Sequence, residues 1–222
     1  MSLTKRAIHK LTRDRYTVCL TQVLLQRPRQ FDVLSAEYIR LSALELVAHE
    51  INSATRPGAV AEVGVYRGEF ARFINAAFPG RRLYLFDTFA GFEAGQVRRD
   101  NAEGFIGQAD NFSDTSVETV LARLPHRENA VVRKGIFPAT AKGLADEGFC
   151  FASIDCDLYE PTLDGLKFFY PRLCSGGYIF VHDYNNDLYR GVRRAVKEYS
   201  SEQRIAYVPL PDSAGTAIIS KP

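Results

Sequence analysis

From residue 59 onward the chain alternates short apolar or β-branched runs with helix-like segments, and this alternation restricts the fold more than any other feature. Strand-like runs at 59–63, 82–86, 130–134, 149–155 and 178–182 are separated by helical patterns near 69–78, 116–124, 159–173 and 188–199. Parallel strands need long crossover connections, and helices supply them, so the pattern predicts βαβ units around a parallel sheet. The C-terminus changes character. Residues 205–210 and 216–219 flank Pro211-Asp212-Ser213, a hairpin-like connection that predicts an antiparallel final strand.

Ahead of this region the pattern is helical. Leu44, Val47, Ala48 and Ile51 recur at helical spacing behind Ser35, a suitable N-cap, and a further helix is expected over about 5–26, ended by Arg27-Pro28. Residues 1–57 are therefore read as a helical extension that could cover the site or form a homodimer interface, and 58–222 as one α/β domain. The stretch 90–114 shows neither period. It carries Gly91, Gly95, Gly104, Gly107 and many charges, which suggests a mobile lid over a site.

Composition excludes several classes. A net charge of +2 with scattered basic residues argues against nucleic acid as a partner. No apolar run approaches the roughly 20 residues that cross a bilayer, and the basic N-terminus lacks a signal-peptide core, so no membrane partner and a cytoplasmic location are expected. Cys19, Cys150, Cys156 and Cys174 show no zinc-finger spacing and read as reduced thiols. His9, His49 and His126 lack acidic companions and receive no role.

The first strand runs into Glu62-x-Gly64-x-x-x-Gly68, followed by a helix. Glycines there permit a sharp turn close to a ligand, at the carboxyl end of a strand where open parallel sheets bind ligands. The second strand ends in Asp87, about twenty residues further on, where a carboxylate can accept both ribose hydroxyls of a nucleoside or simply cap the next turn. A nicotinamide site would want G-x-G-x-x-G, which this turn does not supply. Two more strand ends carry Asp155, Asp157, His182 and Asp183. Together they could hold a hard divalent cation that lowers the pKa of a substrate hydroxyl, or they could cap helices and hold the ligand. His182 reads equally as ligand, general base or packed imidazole.

In order, Glu62-Val63-Gly64-Val65-Tyr66-Arg67-Gly68, Phe86-Asp87-Thr88-Phe89-Ala90-Gly91-Phe92, Gly135-Ile136-Phe137-Pro138-Ala139-Thr140, Asp155-Cys156-Asp157-Leu158-Tyr159-Glu160-Pro161-Thr162 and His182-Asp183-Tyr184 resemble the motifs of the macrocin O-methyltransferase family. The resemblance runs from about residue 58 to residue 199. It implies the Rossmann-like class I methyltransferase fold, a mostly parallel seven-stranded sheet with an antiparallel C-terminal strand, here preceded by N-terminal helices. It also implies S-adenosylmethionine as methyl donor, a small-molecule hydroxyl acceptor on a sugar or aromatic group, and magnesium or manganese.

Carried over by position, Glu62, Gly64 and Gly68 would border the methionine part of the cofactor, Asp87 the ribose, and Gly135 with Ile136 the adenine. Val65, Thr88, Phe89, Asp155 and Asp157 would complete the cofactor shell. Asp155, His182 and Asp183 would be the catalytic and metal-binding set. His182 stands where the family commonly has an aspartate, which lowers the charge of the site and favours a transition metal or no metal. A non-catalytic or metal-independent protein that binds S-adenosylmethionine is the competing reading.

Overall fold

The computed structural model describes residues 37–107 and 110–222. The chain divides into units 1–30 and 31–222, and all described residues belong to the second. Ser35, the helix expected over 5–26 with its Arg27-Pro28 terminator, His9 and Cys19 lie outside the described residues.

The expected sheet is present. β1 (Ala59–Val63), β2 (Leu83–Asp87), β3 (Ala130–Lys134), β4 (Phe149–Ile154), β5 (Leu173–Val181), β6 (Val208–Pro209) and β7 (Ala217–Ser220) form one seven-stranded sheet of order β3-β2-β1-β4-β5-β7-β6. The β1–β5 pairings are parallel, while β7 runs antiparallel to both β5 and β6. Every residue of β1 and of β4 is buried, as expected of central strands covered on both faces. Strand order reverses between these two strands, so their carboxyl ends define the crevice in which such sheets bind ligands.

Among the described residues six α-helices accompany the sheet: α1 (Tyr38–Ser53), α2 (Ala71–Ala77), α3 (Ala94–Ala102), α4 (Val117–Arg123), α5 (Tyr159–Arg172) and α6 (Arg190–Gln203). Side chains alternate across each strand, which divides the core in two. Val60, Leu83, Leu85, Phe151 and Phe180 face α1 and α2, packing with Leu41, Leu44, Ala48 and Ile74. Ala61, Val63, Phe86, Ile154 and Val181 lie in the cluster that holds Leu166, Phe169, Val192 and Val196 of α5 and α6.

Three elements differ most from the sequence expectation. β6 keeps only Val208–Pro209 of the expected run 205–210. β5 begins at Leu173, five residues before the expected 178, because the register with β4 shifts between Phe149 and Phe151 and the strand absorbs Gly176 and Gly177 there. The unassigned stretch 90–114 contains α3. Its buried residues are Gln96 and Asp100, so no apolar stripe announces it. Polar contacts hold it instead: the Gln96 N–H donates to Glu93 Oε2 at 2.7 Å, and the Tyr159 N–H at the start of α5 donates to Asp100 Oδ2 at 2.9 Å.

Candidate functional site

β1 turns at Gly64, where φ is +81°. A Cβ at this position would fall 1.8 Å from the backbone oxygen of Asp155. The neighbouring strand, rather than a bound ligand, therefore requires this glycine. Gly68, at φ +78°, packs against Val120 and does not line the cleft.

Asp87 ties two loops together. Its Oδ2 accepts the Val65 and Tyr66 N–H groups at 2.7 and 2.8 Å, and its Oδ1 accepts the Phe89 N–H at 2.6 Å. A carboxylate has about four acceptor sites, so roughly one remains for a ribose hydroxyl. The capping role is thus present and leaves room for the binding role. Thr88 steadies the same turn by donating to the Gly91 carbonyl at 2.6 Å. Phe89 is buried in the core beside α2 and, unlike Thr88, does not line the cleft. Gly135 and Ile136 do line it, with Ile136 47% exposed.

The carboxylate–histidine half of the cleft forms where the ladder between β1, β4 and β5 continues past the strands: the Asp155 N–H donates to the Val63 carbonyl at 2.8 Å and the His182 N–H to the Ile154 carbonyl at 3.0 Å. His182 Nδ1 lies 3.1 Å from Asp155 Oδ1 and 2.9 Å from Asp183 Oδ2. Asp183 Oδ1 accepts from Asn186 Nδ2 at 2.7 Å. On the far side of the ring, Nε2 stands 3.8 Å from Glu37 Oε2. Burial alone would lower the His182 pKa, but the Asp155 charge and the hydrogen bonds to Asp155 and Asp183 outweigh it, pushing it up to about 10. Asp155 is held well below the usual carboxylate range, because the His182 and Arg40 charges overcome its desolvation. Asp157 moves the other way: burial and the neighbouring Asp183 and Asp155 charges raise it.

Four non-glycine residues at these loops adopt left-handed backbone: Tyr66 (φ 49°), Phe89 (φ 52°), Asp157 (φ 61°) and Asp183 (φ 60°). They follow β1, β2, β4 and β5 in turn, each at a cost of about 1–3 kcal/mol. Such strain gathers at functional sites, and here three of the four, Tyr66, Asp157 and Asp183, line the cleft. Cys156 also lines the cleft, its thiol directed at the Val63 carbonyl at 3.6 Å.

The cofactor turn and the carboxylate–histidine cluster open into one cleft of about 670 Å³. Across its mouth runs a chain of edge-to-face rings, Tyr66–Phe112 (5.1 Å), Phe112–Phe92 (5.1 Å) and Phe92–Tyr189 (6.2 Å). Phe92 and Phe112 come from the stretch expected to be a lid.

Two residues that sequence reasoning missed, Glu37 and Arg40, enter the cleft from α1 and the residue preceding it. Arg40 donates to Asp155 Oδ2 at 3.0 Å and to Ser153 Oγ at 3.2 Å, and stacks 3.7 Å above the Phe70 ring. A signal existed: Arg40 occupies the same i, i+4, i+8 stripe as Leu44 and Ala48, an arginine on an apolar face.

A doubly wound sheet closed by an antiparallel strand, with an acidic strand end facing a glycine turn, defines a class I methyltransferase whose methyl donor is S-adenosylmethionine. Residues 21–217 match the macrocin-O-methyltransferase (TylF) family, and the chain belongs to that family. It is 32% identical over 186 residues to mycinamicin III 3''-O-methyltransferase of Micromonospora griseorubida, covering 76% of this chain and 71% of that one. It is 27% identical over 192 residues to 8-demethyl-8-(2,3-dimethoxy-alpha-L-rhamnosyl)-tetracenomycin-C 4'-O-methyltransferase of Streptomyces olivaceus, covering 81% and 71%. Among solved structures, the O-methyltransferase NovP shares the fold with a TM-score of 0.64 at 24% identity, over 82% of this chain and 79% of that one. The calicheamicin methyltransferase CalS11 does so at 0.65 and 21%, over 83% and 79%.

Proposed function

We propose that this enzyme methylates a hydroxyl on the sugar part of a small secondary metabolite or glycan, with a divalent cation held by Asp155, His182 and Asp183. The observation that carries the proposal is the meeting of cofactor turn and carboxylate–histidine cluster in one cleft at the sheet's switch point. The names of both curated relatives specify transfer to oxygen, and one of those acceptors bears a rhamnosyl group. The aromatic chain at the mouth suits the apolar faces of a sugar ring and its aglycone.

The donor set fits a cation. One imidazole nitrogen lies 2.9 and 3.1 Å from two carboxylate oxygens, close to the separation of adjacent ligands around a centre about 2.1 Å from each. The nitrogen donor favours manganese or another transition metal over magnesium. When bound, such an ion supplies Lewis-acid polarisation of the acceptor hydroxyl.

The chain's own residues contribute position and charge. Asp155, kept in its charged form by His182 and Arg40, stands with Asp183 beside the acceptor, Asp87 and the β1 turn orient the donor, and the aromatic chain limits water at the mouth. Methyl transfer from a sulfonium needs chiefly this alignment. Residues 58–222 are taken as the methyltransferase domain and 1–57 as an N-terminal extension; within the latter, Arg40 and Leu41 of α1 line the cleft. Unpaired thiols at Cys150, Cys156 and Cys174 accord with a cytoplasmic enzyme, and no helix among the described residues is long and apolar enough to cross a membrane.

One observation favours a metal-independent version of the same reaction: Arg40 and His182 already place two cationic groups against Asp155. Turnover of rhamnosylated acceptors with S-adenosylmethionine, with and without chelator, tests both. Product that vanishes on chelation and returns with manganese supports the cation. Product indifferent to chelation supports the metal-independent version, and cofactor binding without product on any acceptor overturns the proposal.

A further inference from the structure

Four buried polar atoms on the cleft wall have no hydrogen-bond partner: Glu37 Oε2, His182 Nε2, Glu62 Oε2 and Arg40 Nε. The residues of the last two are nearly sealed, Glu62 at 1% and Arg40 at 3% exposure. They are also neighbours. Glu62 pairs in register with Ser153 across β1 and β4, and Arg40 donates to the Ser153 hydroxyl at 3.2 Å. By strand alternation Glu62, Ser153 and Asp155 project from the sheet face that α1 covers.

A buried donor or acceptor left without a partner is costly, and the cost rises for charged groups. Glu62 and Arg40 do not satisfy one another, because Asp155 Oδ2 at 3.0 Å and the Phe70 ring at 3.7 Å hold the guanidinium in place. An acceptor and a cationic donor fixed side by side but apart match a ligand with an ammonium and a carboxylate on one carbon. S-adenosylmethionine ends in that group.

We infer that Arg40 is a cofactor-binding residue that receives the α-carboxylate of S-adenosylmethionine through its free Nε–H, opposite Glu62, which takes the α-ammonium. The inference deepens the proposed function and rests on its placement of the cofactor in this cleft. Its new content is the role of Arg40, which makes the helix ahead of the sheet part of the donor site. The same guanidinium grips Asp155, so donor binding and the orientation of the catalytic carboxylate share one side chain.

The test is a matrix of ligands and variants, read by calorimetry on the full chain. The ligands are S-adenosylhomocysteine, its decarboxylated analogue and 5'-methylthioadenosine; the proteins are wild type, Arg40→Gln, Arg40→Lys and Glu62→Gln. Wild type should prefer S-adenosylhomocysteine over the decarboxylated analogue by about tenfold or more, in line with a charge-assisted hydrogen bond. Arg40→Gln should abolish that preference while 5'-methylthioadenosine binds within about twofold of wild type, and Arg40→Lys should keep part of it. Glu62→Gln should weaken both amine-bearing ligands and leave the carboxylate preference intact. If Arg40→Gln weakens all three ligands equally, or keeps the wild-type preference, the inference is overturned. Should Arg40→Gln fail to fold, carboxylate discrimination reduced in a folded Arg40→Lys supports the inference, and discrimination identical to wild type overturns it. Wild type that binds none of the three ligands would instead remove the placement of the cofactor in this cleft.

Discussion

Gly64 and Asp155 approach so closely that a Cβ on the first would fall 1.8 Å from the backbone oxygen of the second. The contact joins the carboxyl ends of β1 and β4, the strands between which sheet order reverses. One glycine therefore sets the distance between the β1 turn and the loop that carries Asp155.

Gly64→Ala should accordingly force the two strand ends apart and place a side chain at φ +81°. The expected loss is about 2–4 kcal/mol of stability, from steric displacement together with backbone strain. Urea denaturation measures it, and a change below about 0.5 kcal/mol would show that the strand ends move without penalty.

His182 predicts a pH dependence. Its pKa rises from the ordinary 6.5 to about 10 in the fold. A raised pKa stabilises the folded state fully below the unfolded value and loses that contribution as pH climbs through the folded one. In chelator, the stability gap between wild type and His182→Gln should be widest at pH 6.5 and below and should close towards pH 10. A gap that stays constant across this window would mean that the imidazole is neutral in the fold.

Binding of manganese should compete with that proton. Ligation by His182 Nδ1 requires its lone pair, so uptake near pH 8 should release about one proton per ion, measurable in buffers of different ionisation enthalpy. Asp155→Asn should lower metal affinity and reduce turnover by about 100-fold or more. Full activity in that variant, insensitive to chelator, would exclude Asp155 from the chemistry.

Phe112 bridges Tyr66 and Phe92 at ring separations of 5.1 Å on both sides. Edge-to-face pairs contribute about 0.5–1.5 kcal/mol each. Phe112→Ala should therefore raise the acceptor KM about tenfold while leaving S-adenosylhomocysteine affinity nearly unchanged. Equal losses for acceptor and cofactor would show that the ring chain supports the whole cleft rather than its mouth.

Much of this arrangement was legible in the chain because its signals are local. The runs 59–63 and 130–134 coincide with β1 and β3, since turn residues bound them sharply. The acidic strand ends stand where the motifs put them, because strand termini fix their first loop residues. What escaped depends on long-range contact. α3 is anchored by the buried Asp100 and Gln96, which look like surface residues in sequence. Arg40 reaches Asp155 across 115 positions, a pairing that no local period encodes. Gly64 was visible as a turn, but its reason, the Asp155 carbonyl, lies on another strand. Phe89, inside the motif read as cofactor-binding, packs instead into the buried cluster that holds residues of α2.

The most direct test of the account is a methyl-transfer assay with purified protein, S-adenosylmethionine, manganese and a panel of rhamnosylated and aglycone-only acceptors, read by mass spectrometry. S-adenosylhomocysteine is expected in step with an acceptor that gains one methyl on a sugar oxygen, and Asp155→Asn should form that product about 100-fold more slowly or worse. Methylation confined to aglycone-only acceptors, or S-adenosylhomocysteine binding with no methylated product across the panel, would contradict it.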